Sequence, residues 1–224
     1  MFLRSFVTGP IQANCYLLAP QEGGECVIID PGMEAAPTVY ALVTDHGLTP
    51  AGVLATHGHV DHVADAAEVA DHYGVPVYIH TEDQILLTQP EKGVSADLAV
   101  WLAMILPQGL TAPSRVETLG DSLSLAGLDF GVIHAPGHTA GSVIYTVNLA
   151  MANLAFSGDV LFAGAIGRTD MPGGDPQAMI ETLRGPVLAL DDGVRILPGH
   201  GPDSTMATER AQNPYLQPRF LSRS

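Results

Sequence analysis

Residues 56–62 read Thr56-His57-Gly58-His59-Val60-Asp61-His62, so four potential metal ligands fall on one short segment. The apolar run 52–55 precedes the segment, and apolar residues at helical spacing follow it from position 63 to position 73. This pattern places the ligands on a loop between a buried strand and a helix. Such a set of nitrogen and oxygen donors suits a borderline metal such as zinc. A polar turn rich in histidine is the alternative interpretation.

Three more potential ligands, His138, Asp159 and His200, each follow an apolar run elsewhere in the chain. The repetition of one pattern, a buried strand followed by a histidine or aspartate, favours a metal site over a polar turn. Loops at strand ends are where functional side chains concentrate.

Length and composition limit the classes of protein that this chain can represent. Its 224 residues, 46% of them apolar, suffice for one large domain or two small ones. No membrane span or signal peptide is recognisable, and two cysteines do not make a disulfide framework. We therefore expect a cytoplasmic, reduced protein without a membrane partner. A formal net charge of −15 argues against nucleic acid as a partner.

The first half alternates strand and helix patterns. Apolar runs at 15–19, 26–29 and 75–79 predict strands, and apolar positions between 35 and 43 predict a helix that stops at Gly47. This alternation indicates a layered α/β sheet. Asp30 follows the second run, where it is either a functional residue or a turn residue.

Residues 80–114 interrupt the alternation and form a predicted helical insertion. The segment 97–106 is apolar on more than one side, which favours a helix packed in the core. The alternative is a lid that lines a substrate pocket with Trp101 and Met104.

The second half predicts mainly β structure. Strand patterns occupy 119–125, 128–135, 143–147, 154–157 and 194–197. Asp175, followed by proline, predicts the start of a helix that continues to about residue 190. The two halves therefore resemble two β/α units of one domain covering residues 1–224.

Taken together, these motifs resemble the metallo-β-lactamase superfamily. The matching segments are residues 56–62, Pro136-Gly137-His138-Thr139, Ser157-Gly158-Asp159 and Pro198-Gly199-His200-Gly201. Within that superfamily, Ile29-Asp30-Pro31-Gly32 and Ile166-Gly167-Arg168-Thr169-Asp170 resemble short bacterial hydroxyacylglutathione hydrolases (glyoxalase II). The resemblance implies a four-layer αβ/βα sandwich with the site at one edge. Because residues 201–224 follow His200, we expect no separate C-terminal helical domain of the kind found in the longer enzymes.

The resemblance also implies a set of metal ligands. His57, His59 and His138 would hold one divalent ion, Asp61, His62 and His200 a second, and Asp159 would bridge the two. Zinc is the expected metal, with iron and manganese as alternatives. His134 matches no ligand position and is expected to be packed instead.

The activity implied by the resemblance is hydrolysis of a small-molecule acyl thioester similar to S-lactoylglutathione. A hydroxide bridging the metals would attack the carbonyl, oriented by Asp61. A thiolate leaves without a general acid, and no further acidic residue lies near the motifs. Arg168 would bind a substrate carboxylate, or else pair with Asp170.

Other activities use the same scaffold. The alternatives are a persulfide dioxygenase with one iron, and a lactonase with the same seven ligands. A β-lactamase is disfavoured by the missing secretion signal, and a binding protein by the complete ligand set.

Overall fold

A six-stranded sheet forms the first half of the protein in a computed structural model that describes residues 1–150 and 152–222. Its strands are β1 (Phe2–Thr8), β2 (Ala13–Ala19), β3 (Glu25–Ile29), β4 (Thr49–Leu54), β5 (Val77–Ile79) and β6 (Val116–Thr118). β1, β2 and β3 pair antiparallel, and β3 to β6 pair parallel. The parallel pairs require crossover connections, and each of the three contains helical structure.

Two helices of these crossovers pack on the outer face of the sheet, and a third, shorter one carries metal-site residues. They are α1 (Ala36–Asp45), α2 (Val60–Val63) and α3 (Ala66–Tyr73). α1 stops as predicted, because Gly47 directly after its C-cap has a φ of +59°. The helix expected after residue 62 is present as α3, but Val63 belongs to the separate α2. The carboxylate of Asp65 accepts from the backbone N–H of Ala36 at 2.8 Å, and this bond accompanies a turn between α2 and α3.

The insertion at residues 80–114 consists of two 3-10 turns, Thr81–Leu87 and Pro90–Gly93, followed by α4 (Ala96–Ile105). Leu102 is the buried residue of α4, whereas Val100 and Met104 are 65% and 75% exposed. The prediction of a core-packed helix is therefore wrong. α4 packs through a narrow stripe, and Trp101 faces a pocket described below. Met104 does not line that pocket, so of the two residues named in the alternative prediction only Trp101 is found at it.

The second half forms another six-stranded sheet, in the order β12-β11-β10-β9-β8-β7. Its strands are β7 (Ser122–Leu125), β8 (Leu128–His134), β9 (Val143–Leu149), β10 (Ala152–Gly158), β11 (Arg195–Pro198) and β12 (Ser204–Thr205). Among the described residues of this sheet, β10 and β11 pair parallel and the other neighbouring strands pair antiparallel. The strand predicted from 119 starts at Ser122, because the chain crosses from one sheet to the other at 119–121.

The helices of the second half are α5 (Pro176–Thr182), α6 (Met206–Gln212) and α7 (Pro218–Leu221). Asp175 caps α5 as predicted, since its carboxylate accepts from the N–H groups of Gln177 and Ala178. The helix does not continue regularly to residue 190. A π turn, Leu183–Val187, contains Pro186, which has no N–H for the α-helical ladder.

Three apolar layers hold these elements together. The first lies between the first sheet and α1 and α3, and the third between the second sheet and α5 and α6. The middle layer joins the sheets through side chains such as Leu54, Phe130 and Tyr145. The α/β class and the four-layer αβ/βα order are thereby confirmed. No helix among the described residues is long and apolar enough to cross a membrane.

Candidate metal centre

All seven predicted ligands come together at one edge of the two sheets. The segment 57–62 leaves the end of β4, and His138, Asp159 and His200 follow β8, β10 and β11. The ligand atoms form three groups, and within each group they lie within 4.8 Å of one another. These groups are His57, His59 and His138; His57, His62 and Asp159; and Asp61, His62 and His200.

Asp61, His62 and His200, here called the second triad, have the spacing of ligands around one ion. Asp61 Oδ2 lies 3.5 Å from His62 Nε2 and 3.2 Å from His200 Nε2. The two Nε2 atoms are 3.3 Å apart. Ligands placed tetrahedrally at about 2.1 Å from a zinc ion are separated by roughly 3.4 Å. The second triad therefore fits one ion of this size.

His57, His59 and His138, the first triad, are buried side by side. His59 Nδ1 and His138 Nε2 are 2.8 Å apart, and the His57 ring is 4.8 Å from that of His138. The Asp159 carboxylate lies between the triads. Its Oδ2 is 3.5 Å from His138 Nε2 and 3.6 Å from His200 Nε2. This is the position of a bridging ligand.

Unpaired buried atoms test whether the residues fit metal ions. His57 Nε2, His59 Nε2 and Asp159 Oδ1 are buried without a hydrogen-bond partner in the described structure. A buried polar atom without a partner costs about 1–3 kcal/mol. Coordination of His57 Nε2 and Asp159 Oδ1 would remove this cost for two of the three atoms, so the residues fit divalent cations.

Hydrogen bonds behind the cluster fix which ring nitrogen faces it. In three of the histidines Nδ1 lies next to an oxygen acceptor, which leaves Nε2 free as a ligand. The acceptors are Asp30 Oδ2 for His62 at 3.0 Å, Arg168 O for His138 at 2.7 Å and Gln12 O for His200 at 3.1 Å.

The electrostatic setting of the two triads differs. Burial lowers the pKa of His59 and of His138 to about 4, and that of His57 well below its ordinary value. Their imidazoles are therefore neutral at pH 7. Burial also opposes a charge on His62, but the carboxylates of Asp61 and Asp159 outweigh it and raise its pKa to about 10.

Asp30 is both a turn residue and part of the site, so the two interpretations of its sequence position do not exclude each other. Its φ is +51°, and its buried carboxylate accepts from the backbone N–H and the hydroxyl of Thr56, both at 2.7 Å. The same carboxylate accepts from His62. Asp30 therefore fixes the start of the metal loop and one ligand ring.

Asp83 is a site residue that the sequence did not reveal. It lies in the 3-10 turn of the insertion and is 2% exposed. One carboxylate oxygen accepts from Gly58 N–H at 2.8 Å and Thr139 Oγ1–H at 2.6 Å, and the other from Gly141 N–H at 2.8 Å. Asp83 thus joins the metal loops of the two halves. The expectation that no further acid lies near the motifs was wrong, because this contact is formed only by tertiary folding.

Gly199 shows how closely the backbone approaches the cluster. A Cβ atom at this position would lie 2.1 Å from Asp159 Oδ1 and 2.8 Å from His62 Cε1. To make room for it, the Asp159 carboxylate and the His62 ring would have to move out of the ligand cluster. Glycine at position 199 is therefore a steric requirement of the site.

A pocket of about 370 Å³ opens on the ligand cluster. Arg168 lines it, and its guanidinium donates to both carboxylate oxygens of Asp170, at 2.7 and 2.8 Å. That hydrogen-bonded pairing lowers the pKa of Asp170 to about 2. His134 lies outside the cluster and is exposed rather than packed in the core, stacked on His80 at 4.2 Å.

Comparisons with known proteins agree with this geometry. The family model for the metallo-beta-lactamase superfamily matches residues 8–200. Hydroxyacylglutathione hydrolase GloC of Haemophilus influenzae is 36% identical over 208 residues, covering 92% of this chain and 93% of its own. The structure of BLEG-1 B3 metallo-beta-lactamase is 34% identical with a TM-score of 0.83, covering 96% of this chain and 100% of its own. TTHA1623 in a di-iron-bound form is 36% identical with a TM-score of 0.78, covering 95% and 100%.

Proposed function

The chain belongs to the metallo-beta-lactamase superfamily as a metal-dependent hydrolase, and we propose that it hydrolyses the acyl thioester of a low-molecular-weight thiol. The observation that carries this proposal is the composition of the pocket. Its acidic lining residues in the described structure are Asp61 and Asp159, and both belong to the ligand cluster. Neither is free to protonate a leaving group.

This composition favours a leaving group that needs no proton. A thiolate, whose conjugate acid has a pKa of about 8.5, departs unaided, whereas an amide nitrogen must be protonated. His62 and His200 hold the pKa of Asp61 below its usual range, although burial opposes this, so Asp61 stays a carboxylate. Asp61 can therefore accept a proton but has none to donate. The 36% identity to GloC supports the same substrate class.

The two triads would each hold one divalent ion, with Asp159 between them. Zinc suits the nitrogen and oxygen donors, and iron and manganese are the alternatives. The similar protein TTHA1623 has a di-iron-bound form, which supports iron as one of these alternatives. When bound, such ions supply Lewis acidity, which makes water a nucleophile near neutral pH and polarises an acyl carbonyl. The chain itself orients that water through the Asp61 carboxylate, which faces the pocket.

The test combines metal content with thiol release. We expect about two metal ions per chain and release of glutathione from S-lactoylglutathione by the loaded enzyme. His138→Ala should lose an ion and most of the activity. His72→Ala is the matched control, because His72 is exposed on α3 and remote from the ligand set. Full metal loading without thiol release from S-lactoylglutathione or from any other acyl thioester tested would refute the thioesterase proposal. One iron per chain with oxygen uptake on a persulfide would indicate the dioxygenase instead.

Hydrolysis of a β-lactam is a second candidate, favoured by the 34% identity to BLEG-1. A chromogenic cephalosporin assayed beside the thioester separates the two activities. The preferred substrate is the one with the higher kcat/KM on the same preparation. Lactones, tested in parallel, address the remaining hydrolytic alternative.

A further inference from the structure

The pocket above the ligand cluster has apolar sides. Leu98, Trp101 and Leu102 of α4 line one part of it. Ile11, Phe162 and Met171, from two other segments, line further parts. If a substrate carbonyl lies at the cluster, the acyl chain attached to it is therefore surrounded by apolar side chains on several sides. The volume of about 370 Å³ lies within the usual range for small-molecule sites, about 300–1,000 Å³.

The apolar sides of the pocket offer no unpaired positive charge to an anionic acyl group. Among the described lining residues, Arg168 is the one lysine or arginine, and Asp170 already occupies its guanidinium at two positions. Lys92, the single lysine of the chain, is exposed and does not line the pocket. A hydroxyl group placed against the apolar side chains of α4, Leu98, Trp101 and Leu102, would be buried there without a hydrogen-bond partner, which is unfavourable.

We propose that the site selects thioesters with an unsubstituted apolar acyl group over small hydroxyacyl groups such as lactoyl, and that Trp101 of α4 determines this specificity. This inference rests on the proposed thioesterase function and narrows its substrate class. In a series of thioesters of one thiol the carrier is constant, so differences in rate report on the acyl group.

The expected size of the preference follows from burial of methylene groups. Each methylene transferred from water to an apolar site contributes about fourfold to binding. We expect kcat/KM to rise by about this factor per methylene from acetyl through butyryl to hexanoyl. Propionyl should exceed lactoyl, which differs from it by one hydroxyl group.

The experiment measures thiol release from a series of glutathione thioesters by the metal-loaded enzyme. Trp101→Ala should flatten the dependence on acyl length while metal content is unchanged, and Trp101→Phe should restore part of it. Met104→Ala is the control, because Met104 lies on the same helix but is 75% exposed. It should keep the wild-type dependence.

A binding measurement tests the same preference without turnover. Trp101 is the one tryptophan of the chain, so its fluorescence reports occupancy of the pocket directly. S-hexylglutathione should change this emission at lower concentration than S-methylglutathione. Hydrolysis that is independent of acyl length, or faster for lactoyl than for propionyl, would overturn the specificity and leave the thioesterase standing. No hydrolysis of any thioester by the fully loaded enzyme would refute the proposed function itself.

Discussion

Replacement of Asp83 by asparagine tests how the metal loops of the two halves are held together. The carboxylate accepts three hydrogen bonds, from Gly58, Thr139 and Gly141. Asparagine has nearly the same shape but only one oxygen. Its amide nitrogen must therefore face at least one of these donors, and that donor is left buried without an acceptor.

The structure sets the size of the effect. A hydrogen bond to a charged group contributes about 1.5–3 kcal/mol, and the remaining bonds weaken when the charge is lost. We expect Asp83→Asn to lower the free energy of unfolding by about 3 kcal/mol. This is a large fraction of the roughly 5–15 kcal/mol that stabilises a typical domain.

The metal sites should respond unequally. The first triad takes His57 and His59 from one of the joined loops and His138 from the other, whereas Asp30 supports His62 in the second triad. Loss of a supporting hydrogen bond typically weakens metal affinity about 10- to 100-fold. Asp83→Asn should therefore weaken one of two binding steps in a metal titration and leave the other within a few fold.

Urea denaturation of the metal-free protein provides the measurement of stability. Glu82→Gln is the matched control, because it removes the same charge from an exposed position on the same turn. It should change the unfolding free energy by less than about 0.5 kcal/mol. A double-mutant cycle with Thr139→Val isolates the shortest of the three bonds. A loss under about 1 kcal/mol for Asp83→Asn would refute the reasoning, since it is below the value of one charged hydrogen bond.

Three further experiments test separate features of the structure. Burial raises the pKa of Cys26 to about 12, so its thiol stays protonated at pH 8. It should react with a disulfide reagent only after the protein unfolds. Rapid reaction of the native protein would contradict this. Gly199→Ala should reduce the metal content, because its Cβ would lie 2.1 Å from Asp159 Oδ1, whereas Gly193→Ala meets no atom within 4 Å and should retain full loading. Asp170→Asn removes the exposed ion pair with Arg168 and leaves the Arg168 guanidinium available to a substrate. The melting temperature should not change, and KM for a glutathione thioester should fall several-fold; an unchanged KM would argue against a substrate carboxylate at this position.

The site was predictable from the sequence because its ligands follow buried strands. An apolar run such as β4 or β10 identifies a strand without tertiary information, and the polar residue after it marks the strand end. The predicted ligands at 57–62, 138, 159 and 200 do lie at one edge of the sheets. The helix signals of α1 and α5 were equally local, a glycine after one end and a capping aspartate before the other.

Features that depend on contacts between distant segments were not predictable in the same way. α4 has an apolar sequence that is typical of a core helix, yet much of its surface is exposed, because its environment is set by how the insertion packs over the pocket. Asp83 has no motif around it, and its partners lie 25, 56 and 58 residues away. Hydrophobic periodicity carries no information about either arrangement.

The distribution of ligands links metal binding to the packing of the two halves. The first sheet contributes the segment 57–62, and the second contributes His138, Asp159 and His200. Neither half holds a complete triad, so each ion would bridge elements that the middle apolar layer brings together. Binding that requires the assembled sheets adds its free energy to folding. Asp83 makes the same connection through hydrogen bonds to Gly58, Thr139 and Gly141, which do not depend on a bound ion. The buried imidazoles of the first triad are neutral at pH 7, so binding of an ion there would not require the net loss of a proton.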